Sequence, residues 1–243
     1  MGRNSFWLLI AISLAAMTSC AHKSGHNRPE RSCYENRDSH HRPESTPVVK
    51  KSANHNVLDG SEIFKLYNKA VFMVYTTDGT NIYQGSGFFI GEDGLAVSNY
   101  HVFKGTGIGA EAIKMSNDDT AYNVVETYKK SEDEDFIIFR VDYDNRTYIP
   151  IASKRPEIGQ RVFAIGSPLG LENTFSSGEV SQWRGNNLMQ ISALIDHGSS
   201  GGALINEYGE AVGITSGTFA DGSQANLNYA WSIDVVKPYI KIE

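Results

Sequence analysis

Gly198-Ser199-Ser200-Gly201-Gly202 is the segment best equipped for covalent chemistry. A serine hydroxyl is a poor nucleophile without a neighbouring base, and the oxyanion formed on attack needs backbone N–H donors aimed at it. Glycines flanking Ser200 let the chain turn so that such donors converge. From Val57 onward there are two histidines, His101 and His197. His101 lies in Val97-Ser98-Asn99-Tyr100-His101-Val102, at the end of an apolar strand, and is the candidate base. His197 stands three residues before Ser200, inside the loop that should form the oxyanion site. It reads as a loop residue that modulates the site. The acid that would orient the base is best met by Asp135, which ends the run Glu132-Asp133-Glu134 and directly precedes Phe136-Ile137-Ile138-Phe139. The three acids before it read as an exposed turn.

The serine segment also satisfies G-x-S-x-G, the nucleophile elbow of α/β-hydrolases. That elbow needs a helix straight after the serine, whereas Ala203 to Ile214 reads as strand, turn and strand. It also places the histidine after the serine, and no histidine follows Ser200. The observed order is histidine, aspartate, serine.

These residues must be carried by many short strands. Apolar and β-branched runs occur at Val71–Thr77, Gly87–Ile90, Leu95–Ser98, Phe136–Val141, Arg161–Ile165, Glu179–Trp183, Leu188–Ser192, Ala211–Thr215 and Leu227–Ile233. Turn signals such as Asp78-Gly79, Glu92-Asp93-Gly94, Tyr208-Gly209 and Asp221-Gly222 separate them. The pattern predicts an all-β barrel or sandwich with helix only at the two ends; the first helix, over Asp59–Ala70, would be capped by Ser61. Pro150 to Glu157 reads as a connector between a first half, 57–150, and a second, 151–243.

Residues 1–20 read as a leader. Arg3 is followed by an apolar run, Phe6 to Met17, too short to span a bilayer comfortably, and then by Thr18-Ser19-Cys20. That ending resembles a bacterial lipoprotein signal and makes Cys20 the expected acylation site and mature N-terminus. Residues 21–56 are polar, hold five of the seven histidines in no ligand spacing, and read as a disordered tether. Cys33 is an unpaired linker thiol on this reading, so the domain must hold together without a disulfide. From Val57 on, 14 Lys and Arg face 24 Asp and Glu. Such an acidic domain with no basic stripe argues against nucleic acid, and membrane attachment would rest on the acyl anchor. No metal or cofactor is expected.

Taken together, Gly85-Ser86-Gly87-Phe88-Phe89-Ile90 with Ser98-Asn99-Tyr100-His101-Val102, Asp135 with its apolar strand, and Val162 to Leu171 followed by Ser177-Gly178-Glu179-Val180-Ser181 resemble the HtrA (Deg) branch of trypsin-like serine proteases. The resemblance runs from about Asp59 to Ile240, covering the protease domain with no PDZ module expected. It implies a double six-stranded β-barrel with short terminal helices, and a cleft site to which the first barrel gives His101 and Asp135 and the second gives Ser200. It implies oxyanion donors at the N–H groups of Gly198 and Ser200, and a serine endopeptidase acting on unfolded or extended polypeptides. It also puts Leu194 at the base of the substrate pocket, with Ile214, Thr215, Ser216 and Tyr229 as walls, hence cleavage after small or medium apolar residues. Departures are Asp196-His197 in place of the usual Asn-Pro, and Ser192 where an acid is common. Ser199 replaces the aspartate of digestive relatives, so activation by a freed N-terminus is not expected. The alternative is a catalytically silent peptide-binding module on the same fold.

Overall fold

The computed structural model describes residues 46–52, 56–167, 173–218 and 227–243. The leader with Cys20, most of the tether with Cys33, and the Asp221-Gly222 turn lie outside the described residues. A short strand β1 (Val48–Val49) precedes helix α1 (Gly60–Tyr67). Asp59, not Ser61, caps that helix. Its carboxylate accepts the Glu62 N–H, and the Glu62 carboxylate accepts the Asp59 N–H, each at 2.9 Å. This reciprocal box satisfies two otherwise orphaned donors of the first turn.

Two closed six-stranded barrels follow. The first holds β2 (Val71–Thr77), β3 (Ile82–Phe89), β4 (Leu95–Ser98), β5 (Glu111–Met115), β6 (Ala121–Ser131) and β7 (Phe136–Val141), closed in the order β2-β3-β4-β7-β6-β5. The second holds β8 (Arg161–Gly166), β9 (Thr174–Arg184), β10 (Leu188–Ile191), β11 (Ala203–Asn206), β12 (Ala211–Thr218) and β13 (Asn228–Ser232), closed as β10-β13-β12-β11-β8-β9. Every pairing inside the barrels is antiparallel. The expected all-β double barrel is therefore borne out. At the C-terminal end the expected helix is two 3-10 turns, Ile233–Val235 and Lys237–Tyr239.

Alternation explains why many strands read as unbroken apolar runs. In β3, Phe89 points into the first barrel with Phe72 and Phe139, while its neighbour Phe88 joins a second cluster with Val97, Ile138, Phe163, Ile165 and Ile205. That second cluster draws on strands of both barrels and on Ile63 of α1, so it forms the packing between them. Strands buried on both faces lose the polar alternation of a half-exposed sheet. Closed barrels also leave no long edge to pair with other chains.

The fold begins before Val57. β1 pairs in parallel with β14 (Lys241–Ile242), with Lys241 N–H donating to Pro47 O at 2.8 Å and Glu243 N–H to Val49 O at 2.9 Å. Val49 is buried in the interbarrel cluster. Pro47–Lys51, read from the sequence as tether, is thus part of the fold. A two-residue strand has no periodicity from which to be recognised.

One buried acid makes a testable demand on pH. Glu111 is 5% exposed, and burial pushes its carboxyl above the usual range. Thr106 Oγ lies 2.8 Å from Phe103 O and 2.9 Å from Glu111 Oε1, and its single proton can serve only one of them. If Thr106 donates to the carbonyl, Glu111 must be the protonated partner. Between the ordinary carboxyl range and the raised value, the folded state keeps a proton that the unfolded chain releases. Stability therefore falls as pH rises through that interval. Glu111→Gln supplies a permanent donor and removes the fall. Urea denaturation should give a higher midpoint for the variant at about pH 8 and no gain near about pH 4. Equal midpoints at the higher pH would refute the protonated reading.

Candidate active site

His101 sits in the 3-10 turn Tyr100–Phe103 that follows β4. Asp135 closes the turn between β6 and β7, with φ +46°, a left-handed conformation uncommon outside glycine. It is held there from several directions. Asn99 Nδ2 donates to Asp135 O at 2.8 Å, and the His101 N–H donates to Asp135 Oδ1 at 2.9 Å. The His101 Nδ1 lies 3.1 Å from Oδ1 and 2.9 Å from Oδ2. The preceding acids are tied as well: Glu132 to Lys104 at 2.6 Å, and Glu134 to Asn187 of the second barrel at 3.1 Å.

Strand β12 brings the second barrel to this acid. Its register with β13 slips between Thr215 and Gly217, so Ser216 is the extra residue of a bulge. A bulge re-aims a side chain, and Ser216 Oγ donates to Asp135 Oδ2 at 3.0 Å. The next residue, Gly217, stands beside Ser200: a Cβ there would be 3.4 Å from Ser200 Oγ. Asp135 and Ser200 thus flank one dipeptide. On the other side, a Cβ on Gly85 would press on Val102, the neighbour of His101, and on Ser200 O. His101 and Asp135 are thus in direct contact, and Ser200 stands near them where the two barrels meet.

The Gly198–Gly202 loop has an orderly division of its backbone groups. Ser199 N–H donates to Asp196 O at 2.9 Å, Gly201 N–H to Thr215 O at 2.7 Å and Gly202 N–H to Ser199 O at 2.9 Å. Among the described residues, no acceptor is found for the N–H groups of Gly198 and Ser200. Gly198 has φ +92°, which its lack of a Cβ permits without strain. Two free N–H groups on either side of Ser199 are what stabilising an oxyanion at Ser200 requires.

The expected substrate pocket fares differently. A cavity of about 490 Å³ lies against the same loop, lined in part by Leu194, Ile195, Asp196, His197, Ser199 and Thr215. Leu194 is 69% exposed, so it is no buried pocket base. Ile214 is fully buried in the interbarrel cluster and walls nothing. Thr215 is turned to Ser199 O, to which its hydroxyl donates at 2.6 Å. Ser216 is spent on Asp135, and Tyr229, half-buried in β13 opposite Gly217, does not line the cavity. Leu194 and Thr215 do line this cavity, whereas counting residues from Ser200 misplaces Ile214, Ser216 and Tyr229, because alternation and the Ser216 bulge decide which face each one takes. Among the described residues no cluster of His, Cys, Asp and Glu has the arrangement of a metal site.

Paired six-stranded barrels with a His–Asp pair on one and a serine loop on the other define the trypsin-like peptidase class. The model of the trypsin-like peptidase domain matches residues 85–214, and the chain belongs to that family. It is 35% identical over 160 residues to a probable periplasmic serine endoprotease DegP-like of Halomonas elongata, covering 62% of this chain and 33% of that protein. It is 29% identical over 199 residues to serine endoprotease DegS of Haemophilus influenzae, covering 74% of this chain and 56% of that one. A crystal structure of the serine endoprotease from Yersinia pestis superimposes with a TM-score of 0.66 at 26% identity, covering 76% of this chain and 66% of that one. The expected HtrA (Deg) kinship is borne out, although the chain spans about a third of the length of DegP-like relatives.

Proposed function

We propose that the chain is a serine endopeptidase that cuts polypeptides through an acyl-enzyme. Ser200 Oγ attacks the peptide carbonyl carbon while His101 Nε2 takes its proton. The same imidazolium then returns that proton to the leaving amine. Asp135 keeps the Nδ1 proton of His101 in place and favours the charged ring. The N–H groups of Gly198 and Ser200 receive the oxyanion. Water, deprotonated by His101, releases the acyl group and regenerates the serine. The observation that supports this reading most is the pair of free N–H groups at Gly198 and Ser200, set in a loop whose other donors are used. A fluorophosphonate probe tests it: adduct formation at Ser200 is expected, and is abolished in Ser200→Ala. A folded wild-type chain that takes no label would be a silent binding module instead.

Cleavage after small or medium apolar residues is supported by the apolar lining from Leu194 and Ile195. Asp196, the one carboxylate in that lining, is exposed and accepts the His197 N–H at 2.7 Å. A peptide library read by mass spectrometry checks this preference, and dominant cleavage after Arg or Lys overturns it. Relatives named periplasmic agree with work in the cell envelope, with Cys20 as the acyl anchor. An acyl-cysteine at the mature N-terminus is the expected mass-spectrometric result, and a soluble, unacylated product rules the anchor out.

A further inference from the structure

We propose that Ser86 is the positioning residue of the oxyanion site, holding the Gly198–Ser200 loop in the geometry that leaves its two donors free. This rests on the endopeptidase reading above. Ser86 lies in β3 of the first barrel, is completely buried, and is far from Ser200 in sequence. At this level β3 pairs with β2 on one side only, since its pairing with β4 is confined to Phe88 and Phe89. Its other edge is therefore open to the nucleophile loop.

Every polar group of Ser86 beyond that edge is engaged with the site or its support. Its N–H donates to Ser200 O at 2.8 Å. Its hydroxyl donates to Gly198 O at 2.7 Å and accepts the Ser167 N–H at 2.9 Å. Its carbonyl accepts the Ser98 hydroxyl at 2.6 Å, three residues before His101. With the Thr215 hydroxyl on Ser199 O, three successive carbonyls of the loop are clamped. Two of the three clamps belong to Ser86.

A peptide plane fixed at its carbonyl is fixed at its N–H. Clamping Ser199 O orients the N–H of Ser200, and clamping Gly198 O anchors the plane between the two donors. Gly198 is the point at which this loop could most easily rotate, because glycine adopts either sign of φ. The Ser86 hydroxyl opposes that rotation directly. Removing it leaves Gly198 O and the Ser167 N–H without their partner, a loss that rearrangement of the loop would relieve. Donors 2.7–3.1 Å from the developing oxyanion act in the transition state more than on the bound substrate. Ser86 should therefore govern turnover and not binding.

The test is Ser86→Ala, read by steady-state kinetics on a peptide and by binding of a peptide boronate, whose tetrahedral oxygen occupies the oxyanion site. The expected result is a kcat lower by about 10- to 100-fold with KM changed by no more than about threefold. Boronate affinity should fall in step with kcat/KM. Ser86→Thr, which keeps the hydroxyl, should recover most of the turnover. If Ser86→Ala does not fold by circular dichroism, Ser86→Cys, close in size with a weak donor, carries the same comparison. A folded variant with wild-type kcat, or one whose whole loss lies in KM, overturns the proposal. A wild-type chain that neither cleaves the peptide nor binds the boronate refutes the endopeptidase reading instead, so the two failures are distinct.

Discussion

Alanine at either His101 or Ser200 is expected to lower kcat/KM by about 10⁴- to 10⁶-fold, with the double variant little worse than either single one. Such non-additivity follows when base and nucleophile act on the same proton. The size of the Asp135 effect can be argued from donor counting. Its carboxylate accepts from His101 N–H, from the His101 ring and from Ser216 Oγ. An ionised carboxylate is an acceptor at both oxygens, whereas an amide offers one acceptor atom and two donors. Asp135→Asn therefore sets an N–H₂ against at least one existing donor and favours the wrong tautomer of His101. A loss of about 10⁴-fold in kcat is expected, with little change in folding. His197→Ala supplies the contrast. Among the described residues its ring has no recorded partner, and only its backbone N–H is bonded, to Asp196. Its loss should cost no more than about tenfold. Hydrolysis of a fluorogenic peptide by the five variants decides the matter: a dead His197→Ala beside an active His101→Ala would exchange the two assignments.

Legibility followed how local each signal was. The catalytic candidates stand in short strings whose chemistry is written in residue type and order, so His101, Asp135 and Ser200 could be singled out before any fold was known. Strands β2, β4 and β7 were readable to the residue because they are apolar on both faces. β5 and β6 escaped notice for the opposite reason. β6 is largely half-exposed and carries Glu126, Lys129 and Lys130, while β5 opens on the buried acid Glu111. Their membership is set by barrel closure, which needs partners far apart in sequence. The same holds for β1, which is a strand only because β14 returns beside it. Ser216 reads from the sequence as a pocket wall and turns instead to Asp135. A single inserted residue in β12 makes that difference, and nothing in Ile214-Thr215-Ser216-Gly217 announces it.

Gly201→Ala is expected to be strongly destabilising for a change of one methyl group. Two penalties coincide there. Gly201 has φ +89°, where an L-residue is strained by about 1–2 kcal/mol. A Cβ at this position would also overlap the carbonyl oxygen of Ser86 and the hydroxyl of Ser98. Neither can retreat cheaply. Ser98 donates to that same Ser86 oxygen, and shifting Ser86 would pull its N–H from Ser200 O and its hydroxyl from Gly198 O. The strain therefore spreads through the contacts that join the barrels at Ser200, and a loss of about 4 kcal/mol or more is expected. Gly79→Ala separates the two penalties. Gly79 has φ +88°, nearly the same backbone, but open space where its Cβ would be. It should lose only about 1–2 kcal/mol and keep full activity. Urea denaturation of both variants, with probe labelling of whatever remains folded, makes the comparison. Equal losses in the two would mean that backbone strain alone sets the cost and that the close approach of Ser86 to the nucleophile loop is not a rigid one.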